Sequence, residues 1–208
     1  MERNDRRKMS RLFSFLLLLA PIPLQAQKSL GPCEACELMF QEMPARLSWS
    51  TQISDAAEPG EALTISGTIY KPDGKTPAAG IILYVYHTDE RGYYSPAKGQ
   101  TSSHRHGHLR GWMKTDTQGR YRFTTIRPGA YPSRRAAQHI HPILLEPSGQ
   151  YYYIDEYLFD DDPLLTADER SRQEKRGGSG IIHLTKNQQG VWEGTRDIIL
   201  GSNVPGYR

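Results

Sequence analysis

The feature that most limits what this chain can fold into is a series of short β-rich runs, each closed by a turn signal. From residue 62 onward, runs rich in Ile, Val, Tyr, Phe and Thr alternate with clusters such as KPDGKTP, DTQG, PSG and NQQG. Short strands at this spacing are typical of an antiparallel sandwich or barrel. We therefore predict an all-β fold, an antiparallel β-sandwich, with strands in the runs ALTISGTIY (62–70), GIILYVYHT (80–88), GWMKT (111–115), RYRFTTI (120–126), QHIHPILLE (138–146), QYYYIDEYLF (150–159), IIHLTK (181–186) and VWEGTRDIIL (191–200).

Two segments depart from the β pattern. A short helix is predicted at residues 36–43, beside the cysteines, and the polar run TADERSRQEK (166–175) predicts one surface helix that GGSG ends. The 208 residues contain no internal repeat and suffice for one domain with a sizeable core. We expect this domain at residues 61–208, preceded by an N-terminal extension at residues 27–60.

The first 26 residues are typical of a secretory signal peptide. A basic stretch, MERNDRRKMSR, precedes the apolar run LFSFLLLLAPIPL, and Ala26 follows as a small residue at a cleavage site. The apolar run is short and contains Pro21 and Pro23, which favours a cleaved signal over a membrane span. A single N-terminal anchor is the alternative. We expect an exported protein, periplasmic or extracellular, with no membrane contact after signal cleavage.

The net charge of the chain comes from this leader. The whole chain has 26 basic and 23 acidic residues, and residues 1–26 hold five of the former and two of the latter. The remainder therefore has 21 of each sign and is neutral. A neutral domain gives no support for a nucleic acid partner.

The chain has two cysteines, Cys33 and Cys36, in the segment GPCEACELMF. In an exported protein a C-x-x-C pair is most simply a local disulfide. A zinc site would need two more ligands nearby, and haem attachment would need a histidine where Glu37 stands. We predict a disulfide between Cys33 and Cys36.

The run PGAYPSRRAAQHIH (128–141) carries a tyrosine and two histidines. In a strand, His139 and His141 share one face while Ile140 lies on the other, so the two imidazoles can bind one metal ion. Tyr131 lies in a turn that Pro and Gly residues restrain. Taken alone, the histidines also suit an exposed polar pair and the tyrosine a packing role.

Three segments in a fixed order give a stronger signal: YHTDERGYYS, then KTDTQGRYRFTTIRPGAYP, then HIH. Together they resemble the intradiol ring-cleavage dioxygenases, non-haem Fe(III) enzymes that open catechols between their hydroxyl groups. The resemblance covers residues 61–200. It implies an iron site with Tyr94 and Tyr131 as phenolate ligands and His139 and His141 as imidazole ligands.

The chemistry of that ligand set agrees with the resemblance. Phenolate oxygens are hard anionic donors that favour Fe(III), and two neutral imidazoles complete four protein ligands while leaving a position open. A bound trivalent ion also lets tyrosines ionise near neutral pH. The resemblance implies one Fe(III) per chain, a catecholic substrate that displaces Tyr131, reaction with O₂, and a muconate-type diacid product.

The chain departs from the family pattern between Tyr131 and His139. The family places an arginine three residues before the first histidine, where it balances negative charge on the substrate, but Ala136 stands here. Arg134 or Arg135 is the candidate for that role. Gln138 also stands where the family has a small residue. We therefore expect this chain to differ from the family in substrate recognition.

Two further interpretations compete with this one. The strand pattern also resembles transthyretin-like and carboxypeptidase-regulatory β-sandwich modules, which bind without catalysis but have no use for the four candidate ligands together. The run SSHRHGHLR holds His104, His106 and His108, which we interpret as a solvated loop near the active-site mouth. Members of the dioxygenase family assemble as dimers or larger complexes, so the resemblance also allows a homo-oligomer.

Overall fold

A computed structural model describes residues 27–98, 105–133 and 135–208. The predicted signal peptide and Arg134 therefore lie outside the described residues. The strands are β1 (Lys28–Ser29), β2 (Ser50–Gln52), β3 (Ala62–Tyr70), β4 (Ile82–Tyr86), β5 (Arg110–Lys114), β6 (Arg120–Ile126), β7 (His139–Leu145), β8 (Gln150–Tyr153), β9 (Tyr157–Phe159), β10 (Ile181–Ile182), β11 (Thr185–Lys186), β12 (Trp192–Thr195) and β13 (Ile198–Ile199). A 3₁₀ helix spans Cys36–Phe40 and an α-helix, α1, spans Ala167–Ser171.

The described strands form two sheets that pack face to face. The first sheet has the order β1-β8-β7-β4-β5, with β9 also pairing with β7 and β10 with β9. The second has the order β11-β12-β3-β6-β2, with β13 also on β3. The β-sandwich is confirmed. Its central pairs are antiparallel, whereas β1, β2, β10, β12 and β13 each join a neighbour in parallel.

Alternation along the strands builds the core between the sheets. In β6, Tyr121 and Phe123 are buried while Arg120 and Arg122 point outward. Ile140 of β7 is likewise fully buried in the main core cluster. Because successive side chains of a strand point to opposite faces, its neighbours His139 and His141 lie on the outer face of the first sheet.

The outer face of the first sheet is also covered. The N-terminal segment lays Cys36 and Met39 against Tyr84, Trp112 and Ile143, which form a second apolar cluster. The indole nitrogen of Trp112 donates a hydrogen bond of 2.7 Å to the Met39 carbonyl. Residues 27–60 also add a strand to each sheet, so this extension is built into the sandwich.

Several predicted elements differ in extent from the observed ones. The runs predicted at 181–186 and 191–200 are each divided into two short strands, β10 and β11 in the first and β12 and β13 in the second. The helix predicted at 36–43 is a 3₁₀ helix that ends at Phe40. The helix predicted at 166–175 ends at Ser171, because the Asp155 carboxylate accepts hydrogen bonds from the backbone amides of Lys175 and Arg176 and draws that segment away. The run predicted as one strand at 150–159 is interrupted at residues 154–156, and its halves, β8 and β9, pair with different parts of β7. Among the described residues, no helix is long and apolar enough to span a membrane.

The loops that follow β4 and β6 pack backbone against backbone through two glycines. A Cβ added at Gly92, where φ is +86°, would lie 2.0 Å from the carbonyl oxygen of Ala130. A Cβ at Gly129 would lie 2.3 Å from the carbonyl oxygen of Glu90. The Gly129 amide donates to the Asp89 carbonyl at 2.9 Å, which ties the loops together. Each glycine precedes a predicted tyrosine ligand by two residues, so this contact sets how close the tyrosines come.

The Asp89 side chain organises the first of these loops. Its carboxylate accepts hydrogen bonds from the Arg91 and Tyr93 amides, at 2.9 and 3.0 Å, and from the Ser95 hydroxyl at 2.6 Å. These bonds surround Tyr94 in the sequence and restrict the backbone that carries it. The loop conformation therefore comes from hydrogen bonds within the protein.

Replacing Gly129 with alanine should destabilise the protein by at least about 2 kcal/mol, since the added methyl group meets a backbone carbonyl that cannot rotate away. Urea unfolding monitored by tryptophan fluorescence measures this change. Gly190→Ala is the control: Gly190 has a positive φ, +78°, which Gly129 does not, and nothing lies within 4 Å of the new methyl group. Its cost should be only about 1 kcal/mol. Equal losses in the two variants would contradict the proposed loop contact.

Candidate metal centre

The four predicted ligands come from three separate places in the fold. Tyr94 lies in the loop after β4 and Tyr131 in the loop after β6, while His139 and His141 open β7. β4 and β7 are hydrogen-bonded neighbours, with Tyr86 paired to His141. The loop that carries Tyr94 therefore begins beside the histidines. The structure brings all four side chains together at one end of the first sheet, beside the start of β7.

The donor atoms of these side chains converge. The hydroxyl oxygens of Tyr94 and Tyr131 share a hydrogen bond of 2.8 Å. The Tyr131 oxygen lies 3.1 Å from Nε2 of His139 and 3.5 Å from Nε2 of His141. The rings of His139 and His141 are 4.6 Å apart and nearly perpendicular, which aims both Nε2 atoms toward the tyrosine oxygens.

A backbone carbonyl orients the first histidine. Nδ1 of His139 lies 2.6 Å from the Ala137 carbonyl oxygen, which only accepts hydrogen bonds, so this nitrogen carries the proton. Nε2 therefore presents its lone pair toward Tyr131. This is the usual arrangement of metal-binding histidines, in which the second nitrogen is held by an acceptor.

Burial sets the ionisation of the site. It raises the pKa of Tyr94 well above its ordinary value, with the Tyr131 hydroxyl adding to the effect, and it also raises the pKa of Tyr131. Burial lowers the pKa of His139 to about 4, so this imidazole is neutral at physiological pH. Neutral histidines are ready to bind metal, whereas the tyrosines need a nearby cation before they ionise.

The donor set fits a metal ion. Donor atoms about 2.0–2.1 Å from one ion are separated by about 2.8–3.6 Å from one another, depending on the angle. The three distances that join the Tyr131 oxygen to its neighbours fall in this range. The described residues contain no group of three His, Cys, Asp or Glu side chains suited to a metal, so a metal here depends on the tyrosine oxygens.

An aromatic stack supports the second histidine. Tyr86 lies between two imidazoles, with ring centroids 4.7 Å from His141 and 3.6 Å from His106. His106 is 2% exposed, and its Nδ1 lies 3.0 Å from the Tyr84 hydroxyl. The stack restricts the His141 ring to one plane beside the tyrosines.

The interpretation of SSHRHGHLR as a solvated loop is therefore wrong for two of its histidines. His106 is buried in the stack, and His108 is half-buried, with Nε2 3.0 Å from the Glu58 carboxylate. Nδ1 of His108 lies 3.0 Å from the carbonyl of Ser95, next to Tyr94. These two residues support the tyrosine loop. His104 lies outside the described residues.

Two clefts reach the converging donor atoms. The first, of about 550 Å³, contacts Tyr94 and runs beneath the N-terminal segment. The second, of about 490 Å³, contacts His139 and runs toward α1. Both volumes suit a small organic ligand. Tyr131, His141 and Glu156 line both clefts, so they lie where the clefts meet.

The N-terminal segment forms one wall of the first cleft. Cys33 and Cys36, joined by a disulfide with Cα atoms 5.6 Å apart, line it together with Glu34. Glu34 forms an ion pair with Arg105 across the cleft. Sequence reasoning did not place these residues at the site, because nothing local connects residue 34 with residue 105.

Glu156 is a further site residue that the sequence did not reveal. It is the last residue of the interruption between β8 and β9, and its carboxylate lies 3.6 Å from Nδ1 of His141. Burial opposes the charged form of this carboxyl, but the contact with His141 outweighs burial and lowers the pKa of Glu156 to about 2. A carboxylate therefore lies directly behind one of the candidate ligands.

Of the two predicted arginines, the one that the structure describes is not brought to the clefts. Arg135 is exposed and lines neither one, and Arg134 lies outside the described residues. Ala136, at the position where the family pattern has arginine, lines the second cleft beside Ala137. A role for Arg134 or Arg135 in substrate binding stays a prediction.

Comparison with known proteins identifies relatives of this chain. The dioxygenase family model matches residues 39–170. The chain is 37% identical over 87 residues to catechol 1,2-dioxygenase 1 of Acinetobacter lwoffii, covering 39% of this chain and 26% of that protein. It is 31% identical over 119 residues to the protocatechuate 3,4-dioxygenase beta chain of Burkholderia cepacia, covering 52% and 49%. The chain thus spans less than half the length of these curated relatives.

Solved structures share the fold. Catechol 1,2-dioxygenase from Acinetobacter sp. ADP1 superposes with a TM-score of 0.58 at 20% identity, over 80% of this chain and 62% of that one. The dioxygenase domain of a carbohydrate-binding fusion protein from Streptomyces sp. SirexAA-E gives a TM-score of 0.56 at 22% identity, over 78% and 94%. The family match covers more than half of the chain and includes all four converging residues, and the chain belongs to the intradiol ring-cleavage dioxygenase family.

Proposed function

We propose that this protein is an exported Fe(III) dioxygenase that opens a catecholic ring between its hydroxyl groups with O₂ and yields a muconate-type diacid. The observation that carries the proposal is the convergence of four side chains. The Tyr131 oxygen lies 2.8–3.5 Å from the donor atoms of the other three, which are Tyr94, His139 and His141. We propose that these four side chains hold one Fe(III) per chain.

The donor types support iron(III) as the resident metal. Two phenolates offer hard anionic oxygens and two neutral imidazoles offer nitrogens, a set that favours a trivalent over a divalent iron. When bound, Fe(III) supplies the Lewis acidity and redox chemistry by which a catechol reacts with O₂. The protein's part is to hold the ligands, orient the substrate and exclude water.

The two tyrosines have different freedom to move. Tyr94 is held in a loop that the Asp89 carboxylate organises, and its backbone lies against Gly107, where an added Cβ would be 3.1 Å from the Tyr94 Cα. Tyr131 lines both clefts, whereas Tyr94 lines only the first, so a substrate ring that enters through either cleft contacts Tyr131. We propose that Tyr131, a phenolate when it serves as a ligand, gives way to the substrate and takes up a catechol proton on its phenolate oxygen, while Tyr94 stays in place.

The clefts suit a flat aromatic ring. Pro142, Ile143 and Ile154 line the first cleft, and Leu158 and Leu165 line the second. Such apolar walls pack against the faces of a ring and displace water from them. The polar groups concentrate where the clefts meet, which orients the two ring hydroxyls toward the tyrosines and histidines.

Purified protein loaded with Fe(III) should bind one equivalent and show a broad visible tyrosinate-to-iron band. Tyr94→Phe should shift or weaken the band, because one phenolate is lost, and His139→Ala or His141→Ala should lower the iron content. Metal analysis and visible absorption measure these effects. Tyr93→Phe is the matched control, since Tyr93 is the adjacent tyrosine and 54% exposed. A colourless protein after iron loading would refute the iron site.

The iron-loaded protein should consume O₂ when given catechol, and both atoms of ¹⁸O₂ should appear in a ring-opened diacid. Resorcinol, whose hydroxyl groups are not adjacent, should give no uptake because it cannot bind through two neighbouring oxygens. An oxygen electrode and mass spectrometry of the product provide the measurements. Iron binding without oxygen uptake on any catechol would instead favour a non-catalytic β-sandwich module.

We also propose export to the periplasm or beyond, on the basis of the basic start, the apolar run and Ala26 in the sequence. Expressed in a bacterial host, the mature protein should be recovered outside the cytoplasm and begin at Gln27. Leu17→Arg, which interrupts the apolar run, should leave the full-length protein in the cell. Fractionation and N-terminal sequencing test this. Wild-type protein that remains cytoplasmic and uncleaved would contradict it.

A further inference from the structure

We propose that the Glu156 carboxylate is a specificity-determining group that disfavours catechols with an anionic substituent and favours neutral or cationic ones. This inference rests on the proposed function, because it concerns the substrate of that same site. It names a chemical class of substrate: catechols without a carboxylate on the ring.

Glu156 lies where the two clefts meet. Among the described residues, it is the only charged side chain that lines both clefts. It shares that position with Tyr131 and His141, the candidate ligands at the meeting point. A substrate bound at the metal centre from either side would therefore come close to this carboxylate.

The other charges at the clefts offset one another. In the first cleft, Arg105 forms an ion pair with Glu34. In the second, Arg172 pairs with Asp168 at 2.8 Å, and Glu169 is engaged by the amide and hydroxyl of Thr166 at the start of α1. Among the described residues, no arginine or lysine lies within salt-bridge distance of Glu156, whose carboxylate lies 3.6 Å from the imidazole of His141.

The second cleft has the neutral residue Ala136 at a position where a cation would offset the charge of Glu156. The described lining of each cleft thus carries one more carboxylate than cation: Glu34 and Glu156 against Arg105, and Glu156 and Glu169 against Arg172. A second negative charge brought in by a substrate would meet repulsion with no described cation positioned to relieve it.

The size of the effect follows from the distance between the charges. Two like charges about 7 Å apart at an effective dielectric constant of about 20 change an equilibrium by about 50-fold, and screening by water reduces this. A preference of about 10-fold or more against an anionic catechol is therefore expected. Discrimination by an unfavourable charge is a common way to achieve specificity.

Three catechols that share one skeleton provide the test: 3,4-dihydroxybenzoate, 4-methylcatechol and 3,4-dihydroxybenzylamine, which carry negative, zero and positive substituent charge. Anaerobic calorimetric titration of the iron-loaded protein gives their affinities without relying on turnover. We expect the benzoate to bind at least about 10-fold more weakly than 4-methylcatechol, and the amine to bind at least as tightly as 4-methylcatechol.

Variants assign the preference to one carboxylate. Glu156→Gln should raise the benzoate affinity relative to 4-methylcatechol by about 10-fold, whereas Glu156→Asp, which keeps the charge, should retain the wild-type order. Glu193→Gln, at an exposed position of β12 in the second sheet, is the matched control and should change nothing. Iron content and melting temperature measured on each variant separate a specificity change from loss of metal or fold.

The outcomes separate this inference from the proposed function. Equal wild-type affinities for the benzoate and 4-methylcatechol, or an unchanged ratio in Glu156→Gln, overturn the role of Glu156 even if both compounds are cleaved. The expected affinity order without oxygen uptake supports the role of Glu156 and overturns the dioxygenase activity. Failure of all three compounds to bind overturns both.

Discussion

The site depends on one close contact, the backbone approach of the loops that follow β4 and β6. Those strands belong to different sheets, so the contact joins the two layers of the sandwich at one end. Gly92 and Gly129 allow it because each places a hydrogen atom where any other residue would force a methyl group into a carbonyl oxygen. The hydrogen bond of 2.8 Å between Tyr94 and Tyr131 is the consequence. The two oxygens that we propose as ligands of one ion therefore lie together in the folded protein.

The histidines are positioned in a different way, by strand pairing. His141 pairs with Tyr86 of β4 on one edge of β7, and His139 pairs with Leu158 of β9 on the other edge, so each histidine backbone is held by one neighbouring strand. Ile140 between them is fully buried, which fixes the face on which the imidazoles lie. A shift in register by one residue would place both histidines in the core, an arrangement that their polarity opposes. The metal centre therefore joins a rigid pair of ligands to a pair held by loops.

Much of this was predictable from the sequence, for reasons that are local. β3 and β6 coincide with their predicted runs, because alternation and the flanking turn residues define both ends. The shared face of His139 and His141 follows from strand geometry. The proximity of Tyr94 to them came only from the resemblance to a family, since 45 residues separate Tyr94 from His139 and no local pattern relates them.

The remaining site residues escaped prediction because tertiary packing decides them. Glu156 contacts His141 because the strand is interrupted between β8 and β9. At this interruption the Asp155 carboxylate accepts hydrogen bonds from the backbone amides of Lys175 and Arg176. His106 resembles a solvated loop residue in the sequence, yet the ring of Tyr86 covers it. In both cases the partner lies far along the chain, and neither hydrophobic period nor turn chemistry carries that information.

The division between rigid and loop-held ligands bears on how this protein differs from its relatives. The departures from the family pattern, at Ala136 and in the shortened Tyr131–His139 segment, lie outside the paired strands, and so does Glu156 at the strand break. Changes at such positions alter charge and shape at the clefts without disturbing the register of β7 or the glycine contact between the loops. The ligand set can therefore stay constant while the charge beside it differs. In this chain the Glu156 carboxylate lies 3.6 Å from His141, so the charge that we propose to govern substrate choice lies against a candidate ligand.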